Sequence, residues 1–161
     1  MSATKKVAYS VVLTALAVVL SPIFIPIGIT KVFPFQSMIN VIAGVLVGPW
    51  YATAVAGAAA IIRNLLGTGT IFAFPGGMIG AFLVGYAWIL SKNIIIAALG
   101  EVIGTGLIAA VTSALFVGPV FLHKSMALMT FIVAFSLAAI TGSILGVIAL
   151  YLLKKAGVAL E

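Results

Sequence analysis

Glu101 is the most unusual side chain in this sequence. It is one of only two acidic residues among 161, and it lies inside a long apolar segment. A carboxylate within a membrane span costs several kcal/mol unless it is paired, neutralised or facing a cavity. Two roles are therefore open: Glu101 contacts a bound ligand, or it forms a buried ion pair with Arg63. In an α-helix, Thr105 and Thr112 would share its face, and we expect that face to form part of a cavity wall.

Three amide side chains accompany these residues: Gln36, Asn40 and Asn64, the last directly after Arg63. An amide both donates and accepts hydrogen bonds, which suits a small heteroaromatic ligand that carries a ring nitrogen or a hydroxyl group. Each amide could equally bond to a neighbouring helix. We assign Gln36, Asn40, Arg63 and Asn64 to a candidate site, together with Glu101 and Thr105.

The segment 63–81 reads R-N-L-L-G-T-G-T-I-F-A-F-P-G-G-M-I-G-A. It contains too much glycine to be helical throughout. Irregular backbone at the edge of a membrane is tolerated only where protein or a water-filled cavity satisfies its polar groups. We interpret this segment as the lip of a binding cavity. Among Phe35, Phe72 and Phe74, which could stack on an aromatic ring, we assign Phe74 to the site.

The composition places this chemistry in a membrane. Hydrophobic residues make up 65% of the chain and charged residues 6%, with a mean hydropathy of +1.42, whereas soluble domains carry about 25% charged residues. The chain is therefore an integral membrane protein, and at about 20 residues per span we expect one domain over 1–161. The net charge of +6 comes from basic residues scattered at the ends of apolar runs. That pattern does not indicate a nucleic-acid partner.

Several functional classes have no support in the sequence. There is no cysteine, and the single histidine, His123, has no second ligand of its kind with which to hold a metal. No phosphate-binding loop and no activated nucleophile is recognisable. We expect neither an enzyme nor a resident cofactor or metal.

The apolar runs predict an all-α bundle of six transmembrane helices. Lys5 and Lys6 near the start and Lys154 and Lys155 near the end all favour the cytoplasm under the positive-inside rule, which requires an even number of spans. We therefore expect a multi-pass cell-membrane protein with both termini cytoplasmic. At Pro49 either one long helix kinks or two helices meet. With two helices, the six predicted ranges are 7–20, 34–47, 50–66, 76–90, 94–117 and 126–153.

The segment 23–35 contains Pro26, Gly28 and Pro34 and cannot form a regular helix. It is either a lid over a site or an ordinary interfacial loop.

Small residues recur at helical spacing. Gly-x-x-x-Gly occurs at four places and predicts close helix packing; the pairs are Gly44/Gly48, Gly76/Gly80, Gly100/Gly104 and Gly142/Gly146. Four further small residues share one face of the first helix: Ser10, Thr14, Ala17 and Ser21. This face serves either internal packing or the docking of a separate subunit.

Three segments carry a resemblance to a known family. They are K-V-F-P-F-Q-S-M-I-N-V-I-A-G-V-L-V-G-P-W-Y-A at 31–52, the glycine-rich segment at 63–81, and G-E-V-I-G-T-G at 100–106. They resemble the substrate-binding S components of energy-coupling factor transporters, and among these the ThiW family, which is assigned to the thiamin precursor hydroxyethylthiazole.

The resemblance implies a six-helix subunit that binds a vitamin precursor from outside, beneath a lid between the first two helices. It also implies association with a transmembrane coupling subunit and two ATPase subunits, and it favours docking through the Ser10, Thr14, Ala17 and Ser21 face. Residue types alone leave two alternatives open: an S component for another small vitamin or pyrimidine precursor, and a small membrane channel or assembly protein without a ligand.

Overall fold

The computed structural model describes residues 1–27, 30–123 and 127–160. Gly28 of the predicted lid and Met126, the predicted start of the last helix, lie outside the described residues. The first half of the chain forms helices α1 (Ala3–Val19), α2 (Pro34–Val47) and α3 (Pro49–Leu65). A two-stranded hairpin, β1 (Ile25–Ile27) and β2 (Thr30–Val32), connects α1 to α2.

The second half of the chain forms three longer helices: α4 (Ala73–Ser91), α5 (Ile94–Leu122) and α6 (Leu128–Lys155). By length and composition, these three helices are the ones in the described residues that could cross a membrane. The all-α architecture is thus confirmed, with the small hairpin as an addition.

Helix α2 lies at the centre of the molecule and contacts each of the other five helices. All of residues 39–47 are buried. A largely apolar helix is found in a protein core or within a membrane, and α2 is enclosed by the other helices. Its polar residues are therefore held within the bundle, where their hydrogen-bond partners must come from neighbouring helices.

The chain breaks between α2 and α3 at Gly48, which answers the question of a kink or a turn. Gly48 has φ +85, a conformation that L side chains rarely adopt. Pro49 then begins α3 at the first helical position, where its missing N–H is not needed. Two separate helices meet here. Gly48 has no neighbour close to its Cβ direction, so it serves the turn and not the predicted helix packing.

Helix α5 is continuous but irregular. It is α-helical over Ile94–Ile103, and two stretches within the remainder are π-helical, Gly104–Ala109 and Ser113–Val117. A π-helical turn is wider than an α-turn, so it rotates every later residue relative to those before it. Thr112 is consequently turned away from the Glu101 face. It bonds to the carbonyl of Ile108 at 2.8 Å and does not line the cavity described below, which corrects its assignment to a cavity wall.

The predicted small-residue packing is found at the centre of the bundle. A Cβ on Gly104 of α5 would lie 2.8 Å from Cα of Gly80 on α4, and one on Gly44 of α2 would lie 2.5 Å from Val84 on α4. A Cβ on Gly142 of α6 would collide with the carbonyl of Pro34. These glycines let the backbones approach closely, where lipid provides no hydrophobic drive for association.

The small-residue face of α1 points inward. Helix α1 packs on α2 and α3, and Ala17 and Ser21 are each 5% exposed. The Ser21 hydroxyl donates to the carbonyl of Val18 at 2.7 Å and to Oγ1 of Thr68 at 3.1 Å. Ser10 and Thr14 are half-buried. Ala17 and Ser21 therefore pack against the protein's own helices, and docking of a separate subunit through this face stays a prediction.

Candidate functional site

A cavity of about 230 Å³ lies between α2, α4, α5 and α6. Lys31 of β2 and Phe33 border it on the side of the hairpin, and the loop before α4 contributes Thr70 and Phe72. Sites for drug-sized molecules measure roughly 300–1,000 Å³, so this cavity suits a single small ring. The loop's position agrees with the expectation that the glycine-rich segment forms the lip of a cavity.

Three of the sequence-predicted site residues line this cavity: Gln36 and Asn40 of α2, and Thr105 of α5. Gln36 and Asn40 are one helical turn apart and therefore project from the same face of α2. Ser37 also lines the cavity, although it was not among the residues assigned to the site from the sequence. These polar groups interrupt a wall that is otherwise apolar.

Glu101 lies directly behind Asn40 and Thr105. It is fully buried and is not among the residues that line the cavity. Asn40 Nδ2 donates to Oε1 and Oε2 of Glu101 at 3.1 and 3.3 Å. The Thr105 hydroxyl lies 2.8 Å from Oε1 and 2.7 Å from the carbonyl of Gly76, and so bridges α5 to α4. A buried carboxyl group with this many partners holds its neighbours in fixed orientations.

Gly80 makes space for this network. A Cβ at Gly80 would meet the Thr105 hydroxyl and the Glu101 carboxyl group. The close approach of α4 and α5 at Gly80 and Gly104 therefore has two consequences: it packs the helices, and it brings Thr105 against the backbone of α4.

Arg63 occupies a separate buried position at the end of α3. It is 1% exposed and does not line the cavity. Its Nη1 donates to Oε1 of Gln36, and its guanidinium carbon lies 4.5 Å from the ring centroid of Phe33. Its Nε and Nη2 have no hydrogen-bond partner among the described residues. No ion pair joins Arg63 to Glu101 in the described part of the chain, so the buried-pair alternative is not what the structure contains.

Asn64 organises the loop and does not line the cavity. Its Nδ2 donates to the carbonyl of Ala60 at 2.8 Å and to that of Thr70 at 3.1 Å. The backbone N–H groups of Thr68 and Gly69 both donate to the carbonyl of Arg63 at 2.9 Å. These bonds satisfy the last carbonyl groups of α3 and fix the loop that brings Thr70 and Phe72 to the cavity.

Aromatic rings form much of the cavity wall, but not at the predicted position. Phe74 does not line the cavity, whereas Phe72 does, two residues earlier. Phe72 packs edge-to-face on Phe131 of α6, with ring centroids 4.8 Å apart. Phe135, one turn further along α6, also lines the cavity. The spacing of Phe131 and Phe135 was the available signal, but in an apolar helix it is equally typical of residues that face lipid.

The two ends of the bundle differ in their basic residues. Lys31 borders the cavity, near the start of α4. Lys92 follows the end of α4 and lines a different pocket together with Lys154. His123 lies in an exposed stretch after α5, and Lys124, which follows it, falls outside the described residues.

Apolar helices around a small, partly polar cavity define an integral membrane protein with room for a small molecule. Residues 7–156 match the model of the ThiW family, described as thiamine-precursor transporter protein. The chain belongs to this family, and its class is therefore a membrane protein of thiamine-precursor uptake. This membership indicates transport and not catalysis. Comparison with curated proteins and with solved structures gives no significant match.

Proposed function

We propose that this chain is the substrate-binding S component of an energy-coupling factor transporter, and that its ligand is hydroxyethylthiazole. The observation that supports this most strongly is the cavity of about 230 Å³, which combines amide and hydroxyl groups with aromatic rings. A thiazole ring offers a flat face for the phenylalanines. Its ring nitrogen and hydroxyl group match the side chains of Gln36, Asn40 and Thr105.

In this proposal the site residues have different roles. Gln36, Asn40 and Thr105 contact the ligand, because they line the cavity. Glu101 and Arg63 act through them, since each bonds to one of the two amides from outside the cavity. Asn64 maintains the loop that forms the cavity's edge. Phe72 takes the stacking role that the sequence suggested for Phe74.

The proposed subunit is a single domain with six transmembrane helices and both termini in the cytoplasm. The separation of basic residues supports this arrangement: Lys31 borders the cavity near the start of α4, and Lys92 and Lys154 line a pocket at the other end. Substrate then enters from outside, and the β1–β2 hairpin serves as the lid. Its strand β2 packs on α6 and carries Lys31 to the cavity's border.

Uptake requires an energy source that the chain does not carry, because its sequence has no nucleotide-binding loop. We assign this role to a transmembrane coupling subunit with two ATPase subunits. The proposed docking face remains that of Ser10, Thr14, Ala17 and Ser21, of which Ser10 and Thr14 are half-buried and Ala17 and Ser21 are buried in the chain itself.

Native mass spectrometry tests the function directly. The protein is purified gently from cells grown with hydroxyethylthiazole, and small molecules released from it are weighed. We expect the mass of hydroxyethylthiazole. Another vitamin precursor would keep the S-component role and change the ligand. Protein that carries no small molecule would contradict the proposal and favour a channel or an assembly protein.

A further inference from the structure

The amides of Gln36 and Asn40 line the same cavity, and each bonds to a residue behind it. One amide acts there as an acceptor and the other as a donor. Gln36 uses its oxygen, which accepts from Nη1 of Arg63. Asn40 uses its nitrogen, which donates to both oxygens of Glu101. The chemistry of the partners sets these orientations. A guanidinium group has no acceptor, so reversing Gln36 would bring two donors together, and the Asn40 nitrogen reaches both carboxyl oxygens of Glu101.

The groups left over at the cavity follow from this arrangement. The remaining donor capacity of Gln36 lies on Nε2, whose one hydrogen bond among the described residues is to the carbonyl of Ala73 at a long 3.5 Å; Nε2 also lies beside Gly77, where an added Cβ would be 2.5 Å from it. The remaining acceptor capacity of Asn40 lies on Oδ1, which receives no hydrogen bond from the described residues. Because the two residues are four apart on one helix, their Cβ atoms are about 5–6 Å apart, and both side chains line the same cavity.

We infer that Arg63 and Glu101 are specificity-determining residues, which fix a hydrogen-bond donor at Gln36 and an acceptor at Asn40. The cavity then selects a small neutral heteroaromatic ligand with a ring acceptor and, a few ångströms away, a hydroxyl donor. This inference rests on the proposed function. It adds which amide of the site donates a hydrogen bond, which one accepts, and which residues fix these roles. Neither Arg63 nor Glu101 lines the cavity, so both are positioning residues.

Three ligands of nearly equal size test the inference. The first is hydroxyethylthiazole. The second replaces its hydroxyethyl group by ethyl and so removes the donor. The third replaces the thiazole by a thiophene ring and so removes the ring-nitrogen acceptor. Affinities are measured by calorimetric titration of the purified chain in detergent. We expect the first ligand to bind about tenfold more tightly than either of the others, because each analogue leaves one polar group of the site unpaired.

Two variants test the orientations of the two amides separately. In Glu101→Gln the new amide can bond Asn40 in either sense, so the preference for the hydroxyl ligand over the ethyl ligand falls below about threefold. The preference for thiazole over thiophene remains. Arg63→Met removes the partner of the Gln36 amide. The preference for thiazole over thiophene then falls below about threefold, and the preference for the hydroxyl ligand over the ethyl ligand remains. General loss of stability cannot produce this crossed pattern, because it would not change one preference alone.

Further variants keep the test decisive if Arg63→Met does not fold. Gln36→Met removes the proposed donor and should abolish only the preference for thiazole over thiophene. Asn40→Leu should abolish only the preference for the hydroxyl group. Lys92→Met, at the other end of α4, serves as the control and should leave both preferences unchanged.

The outcomes distinguish this inference from the proposed function. If none of the three ligands binds, the thiazole function fails, and the inference fails with it. If hydroxyethylthiazole binds but the ethyl and thiophene analogues bind equally well, the function stands and the inference is overturned. It is also overturned if Glu101→Gln retains both preferences.

Discussion

Asn40 on α2 and Glu101 on α5 are joined by hydrogen bonds of 3.1 and 3.3 Å from a single amide nitrogen to both carboxyl oxygens. The two residues are 61 positions apart in the chain. Asn40 lines the cavity and Glu101 lies behind it, so the carboxyl group supports a cavity-lining residue and does not line the cavity itself. This relationship separates the side chains that line the cavity from those that hold them in place.

The first prediction concerns the buried carboxyl group. Glu101→Leu leaves the amide nitrogen of Asn40 without its carboxyl partner, whereas Thr105 keeps its bond to the carbonyl of Gly76, and a buried group left unsatisfied costs about 1–3 kcal/mol. Glu101→Gln still accepts from Asn40 through its amide oxygen, and we expect a loss below about 1 kcal/mol. Thermal unfolding in detergent measures both. Equal loss of stability in the two variants would show that the charge, and not the acceptor, is what the bundle requires.

The second prediction concerns the close approach of α4 and α5. A Cβ at Gly80 would collide with Thr105 and Glu101, so we expect Gly80→Ala to destabilise the bundle by about 1–3 kcal/mol and to weaken ligand binding. Gly57→Ala in α3 is the matched control. Its nearest neighbour would be Sδ of Met78 at 3.6 Å, an ordinary contact. It should therefore be neutral or stabilise the helix by up to about 1 kcal/mol. Similar melting points for the two variants would contradict the described packing.

The third prediction concerns the aromatic wall. Phe131 lines the cavity and packs on Phe72. We expect Phe131→Leu to weaken hydroxyethylthiazole binding about threefold to tenfold, because an aliphatic side chain cannot replace the ring-to-ring contact. Phe116→Leu on the same helical hairpin is the control, since Phe116 is 60% exposed and away from the cavity. A control variant that loses as much affinity as Phe131→Leu would exclude a specific role for the ring.

The fourth prediction concerns topology. The chain has no cysteine, so single cysteines can be introduced without background. Placed at Thr70 and His123, which are exposed, they should react with a membrane-impermeant thiol reagent on intact cells. Cysteines placed at Ser2 and Ala156 should react only after permeabilisation. Labelling of Ser2→Cys on intact cells would place the amino terminus outside and contradict the proposed orientation, and labelling of only one of Ser2→Cys and Ala156→Cys would contradict an even number of spans.

Much of the fold could be predicted because it depends on local properties of the chain. Apolar runs, the Gly48-Pro49 break and the glycine spacings identified six helices with ends close to those observed. The β1–β2 hairpin was not predicted, since strand pairing depends on contacts between residues that no helical periodicity reveals. The π-helical turns of α5 were also missed, and with them the true direction of Thr112.

The residue types of the candidate site could be predicted. Which of these residues line the cavity and which lie behind it could not. Gln36, Asn40 and Thr105 line the cavity, whereas Glu101, Arg63 and Asn64 support it from behind or at its edge. Spacing along one helix cannot show which polar residue reaches a cavity and which reaches a second polar residue. The same limit applies to α1, where a face of small residues fits internal packing and subunit docking equally well until burial is known.

The most direct test of the central claim is an equilibrium titration of the purified wild-type chain with hydroxyethylthiazole, without ATP or any partner, alongside Asn40→Leu. Because the cavity groups all belong to this chain, we predict saturable heat for the wild-type protein and an affinity at least about tenfold weaker for the variant. No heat from correctly folded wild-type protein at ligand concentrations up to about 1 mM, equivalent to only about −4 kcal/mol, would contradict the account.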